Sequence, residues 1–183
     1  MTGTLRRGDS ALSVGAEPLP EPLATVAATV GAPGLSLALH GPHHWRCVAL
    51  TGIELARRDP RIDLAVVYRF AQLHDSQRYH DGHDDAHGPR AAALVLVRHP
   101  SDRALYLAMR DHTRGRTSRD PTIGACWDAD RFNLCRVGVD PSIEFMSTTV
   151  ARRYFTQLAA FARSAVASQS TWNLVDRAVR SAW

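Results

Sequence analysis

The chain has 183 residues, of which 45% are hydrophobic and 22% are charged, which predicts one globular domain and excludes a disordered or collagen-like protein. All 22 basic residues are arginine and the net charge is +4, so lysine Schiff-base chemistry and a P-loop lysine are excluded, and arginine is left as the strong cationic partner for a phosphate. The longest apolar runs, such as "AAALVLV", are much shorter than the roughly 20 residues of a membrane-spanning helix.

Residues 1–38 are predicted to form a flexible leader, with a short helix at Pro22–Gly31 as the alternative. The segment is rich in Gly, Pro, Ser and Ala, and its first 20 residues lack a sustained hydrophobic period. Arg6 and Arg7 are followed by charges and prolines in place of the apolar core of a signal peptide, so we expect a cytoplasmic protein. The odd number of cysteines and the absence of a C-x-x-C pair agree with a reducing compartment.

Helical periodicity dominates the middle of the chain. The first helix is predicted to begin at Pro42, the second near Ile62 and the third near Gly88. Ser101 is the predicted N-cap of the fourth helix, and a fifth follows the loop "RGRTSRDPT" and ends at Gly138. Four of these helices have a clear apolar stripe: His44, Val48, Thr51 and Leu55; Val67, Phe70, Ala71 and His74; Leu105, Ala108, Met109 and His112; and Ile123, Trp127, Asp130, Leu134 and Val137.

The C-terminal part of the sequence is also helical in pattern. A long helix is predicted from about Ala151 to Ala167, and Ser170 or Thr171 could cap a final helix that reaches Trp183. Strand signals are poor, because no segment alternates apolar and polar residues and no Asn-Gly hairpin occurs. The sequence therefore predicts an all-α bundle, in which residues 141–183 complete the same domain.

Each of the four stripes contains one residue able to bind a metal: His44, His74, His112 and Asp130. A carboxylate that is buried without a partner loses several kcal/mol of hydration free energy, so Asp130 needs a cation or strong donors. One shared ion would satisfy all four side chains. Asp75 lies about 100° further round the helix than His74, and its short side chain can reach the same ion.

Mixed imidazole and carboxylate ligands have a recognisable chemistry. They favour Mn, Fe, Co, Ni or Zn, and Mg becomes less favoured as more histidines take part. An open coordination position would hold a water with a lowered pKa, which makes hydroxide available near neutral pH for attack on phosphorus. The predicted reaction is hydrolysis.

The order of these residues resembles a known family. His44, then His74–Asp75, then Asp130 within "DADRFNL", is similar to the H…HD…D signature of the HD superfamily of metal-dependent phosphohydrolases, which lies on five core helices. The segments "HGPHHW", "LHDSQR", "DGHDDAHGPRAA" and "DPTIGACWDADR" look like a little-characterised bacterial branch of that superfamily. The resemblance implies an HD-like metal-binding core over residues 39–140.

The resemblance also implies a role for each matching residue. The first metal would be bound by His44, His74, Asp75 and Asp130. Asp130 is preferred to Asp128, because it immediately precedes the basic residue Arg131 and shares the apolar stripe.

Further residues match parts of the family pattern outside the signature. His87 and His112 resemble the additional histidines that hold a second metal or contact the phosphate in some members, so one or two ions are expected. Catalytic roles are expected for Asp75, His112 and Arg131, and contacts with the substrate phosphate for Arg131, Arg78 and His40. The chain has "HDSQR" where the commoner continuation is "HDIGK".

Three functions are compatible with this pattern. The first is a phosphohydrolase acting on a nucleotide or another small phosphate ester. The second is a non-catalytic protein that binds a metal or a phosphorylated ligand on the same scaffold. The third and least favoured is a nuclease or nucleic-acid-binding module, because aromatic residues are only 7% and base-stacking side chains are not evident. Arg110, Arg114, Arg116 and Arg119 near His112 could attract an anion to the metal or form a solvated loop.

Overall fold

The computed structural model of the protein describes residues 31–168, which are helical and contain no strand. The all-α prediction is confirmed for this part of the chain. The predicted helix from Ser170 or Thr171, and the one at residues 22–31 apart from Gly31, lie outside the described residues. The α-helices are α1 (Pro42–Ala56), α2 (Leu64–Leu73), α3 (His87–Arg98), α4 (Arg103–Asp111), α5 (Pro121–Phe132), α6 (Thr149–Arg153) and α7 (Phe155–Ala167).

Side-chain caps fix where several helices begin. Pro42 occupies the first turn of α1, as predicted. Asp63 and Asp120 accept hydrogen bonds from backbone N–H groups in the first turns of α2 and α5. The prediction of Ser101 as the cap of α4 is wrong by one residue. Asp102 caps that helix by accepting from Leu105 N, because its carboxylate is a stronger acceptor than a hydroxyl.

The fifth helix ends earlier than predicted. It stops at Phe132 and continues as a 3-10 helix, Asn133–Val137, up to Gly138, whose φ of 77° is left-handed. The side-chain amide of Asn133 donates to the carbonyl of Ala129 at 2.7 Å, which is the acceptor that a continuing α-helix would use for Asn133 N–H. The α-helical stripe therefore does not reach Leu134 and Val137.

The predicted long C-terminal helix is two helices. Thr148 caps α6 by accepting from Ala151 N. The helix ends at Arg153, because the φ of −110° and ψ of 27° at Tyr154 leave the helical region. The second piece, α7, packs against α1. Met146, Val150 and Leu158 belong to the same hydrophobic cluster as the earlier helices.

Helix α1 is central to the bundle. It packs against α2, α5 and α7, while α2 also contacts α4 and α5, and α3 pairs with α4. The close approach of α1 and α2 requires Gly52, because a Cβ atom there would lie 2.3 Å from Val67 Cγ1. Among the described residues, no helix has both the length and the apolar character needed to cross a membrane. The packing brings the ends of several helices together at one place.

Candidate metal centre

The candidate site is built from helix ends. His44 lies in the first turns of α1, His74 and Asp75 directly follow α2, and His112 directly follows α4. His87 is the first residue of α3, and Asp130 lies in the last turn of α5. Residues up to 86 positions apart in sequence therefore meet at one point, as the predicted cluster requires.

A first group of ligand atoms surrounds His44. Its Nε2 lies 3.1 Å from His74 Nε2, 3.6 Å from Asp75 Oδ2 and 3.1 Å from Asp130 Oδ1. His74 Nε2 is 3.4 Å from Asp75 Oδ2 and 3.9 Å from Asp130 Oδ1. His44, His74 and Asp75 are buried, whereas the side chain of Asp130 is 22% exposed. The expectation that Asp130 lies on a buried face is thus only partly right, because its carboxylate opens to a cavity.

A second group lies on the other side of Asp75. His87 Nε2 is 3.0 Å from Asp75 Oδ1 and 2.8 Å from His112 Nε2, and His112 Nε2 is 3.8 Å from the same carboxylate oxygen. All three side chains are buried. Asp75 therefore presents Oδ2 to the first group and Oδ1 to the second.

These separations match those of atoms around one ion. Nitrogen and oxygen ligands at 2.0–2.2 Å from a metal lie roughly 3.0–3.5 Å from one another when they are adjacent. His44, His74 and Asp75 fall close to that range, with separations of 3.1, 3.4 and 3.6 Å. The buried His and Asp side chains could therefore hold a metal ion.

Backbone carbonyls orient three of the four histidines. The Nδ1 atom of His74 lies 3.2 Å from Phe70 O, that of His112 lies 2.7 Å from Met109 O, and that of His87 contacts Asp84 O. A carbonyl oxygen only accepts, so the Nδ1 atoms of His74 and His112 carry the proton and their Nε2 atoms keep a lone pair for the centre of the site. The Nδ1 of His44 is buried and has no hydrogen-bond partner among the described residues.

Burial and charge move the pKa values of the four residues of the first group. Burial lowers the pKa of His44 to about 4. Burial alone would also lower the pKa of His74, but the carboxylates of Asp75 and Asp130 outweigh it and raise that pKa. Burial would raise the pKa of Asp75 and of Asp130, yet the surrounding imidazoles hold both well below the ordinary value. Both carboxylates are therefore ionised at neutral pH.

A cavity of about 340 Å³ opens above these ligands. His40, Asp75, Arg78, Asp130 and Arg131 all contribute to its lining, so the three residues predicted to contact a phosphate lie beside the predicted ligands. No Phe, Tyr or Trp side chain lines it among the described residues. The cavity is therefore polar and charged.

The two arginines among the three predicted phosphate contacts have different hydrogen-bond partners. Arg78 Nη1 lies 3.1 Å from His87 Nδ1 and 3.9 Å from Asp75 Oδ1, so its charge is next to the second group. The guanidinium of Arg131 donates to the carbonyls of Phe145 and Gly115, so this arginine also ties two loops together. Arg131 therefore makes structural hydrogen bonds that the sequence did not predict.

Sequence reasoning did not find three residues that shape the site. Asp81 accepts from the backbone N–H groups of residues 38–40 and from the ring of His40 at 3.0 Å. Arg136 also lines the cavity and donates to Leu39 O at 2.9 Å. These contacts span 40 residues or more, so no local pattern signals them.

The third missed residue is Gly34. It lies in a 3-10 helix, Pro33–Ser36, within the predicted leader. Its N–H donates to Ser76 O, and a Cβ atom at this position would lie 2.4 Å from Asp75 O. The 3-10 helix therefore packs directly against the backbone of Asp75, whose carboxylate lies between the two groups of ligand atoms.

The four arginines near His112 do not line this cavity. Arg110 pairs with Asp111, Arg114 lies 3.6 Å from Asp85, and Arg116 lies over the ring of Phe145. Arg119 lines a different cavity. Of the two alternatives for these arginines, the described residues favour a solvated loop over an anion-attracting rim. Arg78, Arg131 and Arg136 supply the positive charge around the site.

Comparison of the chain with protein-family models, curated proteins and solved structures finds no match. Membership of the HD superfamily therefore stays a prediction from the sequence. The described residues establish a coarser fact, which is that buried His and Asp side chains from several helix ends form two groups that could hold metal.

Proposed function

We propose that the protein is a metal-dependent phosphohydrolase of the HD type, which cleaves a phosphate ester of a nucleotide or another small phosphorylated molecule. The observation that carries this proposal is the position of Asp75, whose two oxygens lie with His44 and His74 on one side and with His87 and His112 on the other. A carboxylate placed in this way can bridge two ions.

The donor set fits divalent transition metals. Four imidazoles and two carboxylates favour Mn, Fe, Co, Ni or Zn, with Mg less suited to so many nitrogen ligands. Bound ions would supply Lewis acidity and a water of lowered pKa. His74 and His112 would hold an ion through Nε2, because backbone carbonyls fix the proton on Nδ1. His87 would use the same atom, which lies 3.0 Å from Asp75 Oδ1.

The arginines of the cavity would bind the phosphate. Arg78 and Arg136 line the cavity, and each donates to two backbone carbonyls, which hold its guanidinium group in place. Their charge and remaining N–H groups suit the oxygens of a phosphate. His40 lines the same cavity and is held by Asp81. We therefore expect recognition in this site to depend mainly on the phosphate, since the described lining contains no Phe, Tyr or Trp side chain on which a base could stack.

The proposal is tested by metal analysis and by activity assays. The purified protein should contain a transition metal by mass spectrometry and should hydrolyse p-nitrophenyl phosphate or a member of a nucleotide panel with added Mn, Co, Ni or Mg. Asp75→Ala and His74→Ala should each lose bound metal and at least about a hundredfold in activity. His80→Ala is the matched control, because its side chain is exposed and should leave both nearly unchanged.

One observation favours the alternative of a non-catalytic protein that binds a metal or a phosphorylated ligand. Each of the three arginines of the cavity, Arg78, Arg131 and Arg136, already donates to two carbonyl groups. Bound metal together with no cleavage of any phosphate ester would support this alternative. A nuclease remains the least favoured function, and salt-dependent binding to single-stranded oligonucleotides would support it.

A further inference from the structure

A second cavity, of about 310 Å³, shares no lining residue with the metal centre. Its walls carry three arginines that come from separate segments: Arg61 from the turn before α2, Arg119 from the loop before α5, and Arg152 from α6. Hydroxyl groups of the loops at residues 117–118 and 147–149 fill most of the remaining lining. The fold thus gathers positive charge and hydroxyl groups at a place that the metal chemistry does not use.

Among the described residues, acidic side chains neutralise only one of the three arginines of this cavity. Asp59 is the one carboxylate in the lining among the described residues, and it is engaged by Arg61 through two hydrogen bonds of 2.9 and 2.7 Å. Arg119 and Arg152 form no ion pair with the described residues; Arg152 donates from Nε to Met146 O at 2.8 Å. Two guanidinium groups therefore remain available to an anion.

The wall of the cavity is held in place by a buried carboxylate. Asp128 accepts from Ser147 N at 2.6 Å, from Thr148 N at 2.8 Å and from Thr148 Oγ1 at 2.7 Å. Ser147 Oγ in turn accepts from Ser118 N at 3.2 Å, which links the two loops. Because these contacts fix the loops without a ligand, little ordering is needed when one binds.

The residues that line this second cavity indicate which class of ligand it can bind. Pro121 is its one apolar residue and no aromatic side chain is present among the described residues, so an apolar molecule or a stacked base finds no partner. Guanidinium forks with nearby hydroxyl donors are the groups that bind phosphate. The volume lies at the lower end of the roughly 300–1,000 Å³ of small-molecule pockets, which leaves room for more than one phosphate group or for a small organic phosphate.

We propose that this cavity is a second site, separate from the metal centre, that binds a small phosphate-bearing anion. The phosphate is held by Arg119 and Arg152, with Thr117 and Thr149 as further donors. The anion is either inorganic, such as phosphate or pyrophosphate, or a small phosphomonoester. Both kinds of anion carry the phosphate group that the two arginines would bind.

Amide chemical shifts of the full-length protein test this site. Phosphate, pyrophosphate and glycerol 3-phosphate are each added without metal, and saturable shifts are expected at residues 117–119 and 147–152 for at least one of them. The anion with the lowest Kd distinguishes an inorganic from an organic source. Arg119→Gln with Arg152→Gln should weaken that binding by at least about tenfold.

The control removes the same charge elsewhere. Arg103 and Arg163 are exposed and outside both cavities, so Arg103→Gln with Arg163→Gln should change the Kd by less than about twofold. If the double variant fails to fold, the single variant Arg119→Gln replaces it, because Arg119 makes no hydrogen bond with the described residues. Arg119→Gln should weaken anion binding about threefold or more. Equal effects of the two double variants, shifts confined to the metal cavity, or no shifts with any anion would each overturn the proposal.

Discussion

His44 and His74 face each other in the candidate centre, yet their surroundings move their pKa values in opposite directions. Burial lowers that of His44 to about 4, so this ring is neutral and ready to bind metal at any ordinary pH. The carboxylates of Asp75 and Asp130 raise that of His74, so its proton competes with a metal ion. His74 should therefore set the pH dependence of the first group.

Metal affinity is predicted to fall as the pH drops through the raised pKa of His74. Above that pKa the imidazole is neutral and binding is at full strength, whereas below it each pH unit should weaken binding by about tenfold if one proton is displaced. Titrations with Mn or Co between about pH 6 and 8 measure this slope. An affinity that stays constant over that interval would contradict the assignment of His74 as a ligand.

At the scale of elements, the sequence predicted α1 to α5 well because four of them have a clear apolar stripe and most have a recognisable start. The sequence could not predict the end of α5. There the side-chain amide of Asn133 donates to the carbonyl of Ala129 and to the hydroxyl of Thr51, a residue 82 positions away. The position of Asp75 as a shared carboxylate was equally hidden, since His87 and His112 reach it from helices whose packing no single pattern encodes.

The 3-10 helix before α1 gives a prediction at this scale. Gly34→Ala would place a Cβ atom against Asp75 O and 3.1 Å from the ring of Trp45, which is fully buried and cannot move easily. The backbone of Asp75 should therefore shift, and metal affinity should fall by at least about tenfold. Isothermal titration with Mn measures the change.

Gly82→Ala is the matched control for this substitution. A Cβ atom at Gly82 would meet the side chain of His80 at 3.2 Å, and both residues lie at the surface. Its effect on metal affinity should be less than about twofold. If Gly34→Ala binds metal as tightly as the wild-type protein, the 3-10 helix does not position the site.

At the scale of the whole molecule, the candidate centre joins five helices, so a bound ion should stabilise the entire fold. Metal at about 100 times its Kd adds about 2.7 kcal/mol to the free energy of unfolding, which for this chain length raises Tm by roughly 5–10 °C. Thermal unfolding with and without Mn, followed by chelation, measures the effect. Asp75→Ala should show no rise, and a metal-dependent Tm in that variant would argue that the ion binds elsewhere.

The all-α fold was predictable because apolar period and caps are local features, whereas the site depends on where distant helix ends meet. His44, His74 and Asp130 were predicted because a residue able to bind a metal interrupts an apolar stripe, and Asp75 because it adjoins His74 in the sequence. Arg136 and Asp81 were not predicted as site residues. Arg136 lies on a 3-10 helix and Asp81 lies in a loop, and neither segment has an apolar stripe.

Anomalous diffraction from crystals grown with Mn tests the central claim most directly. Two peaks are predicted about 3.5–4 Å apart, one between His44, His74 and Asp75 and the other between Asp75, His87 and His112. A map with no peak within about 2.5 Å of either carboxylate oxygen of Asp75 would contradict the proposed centre.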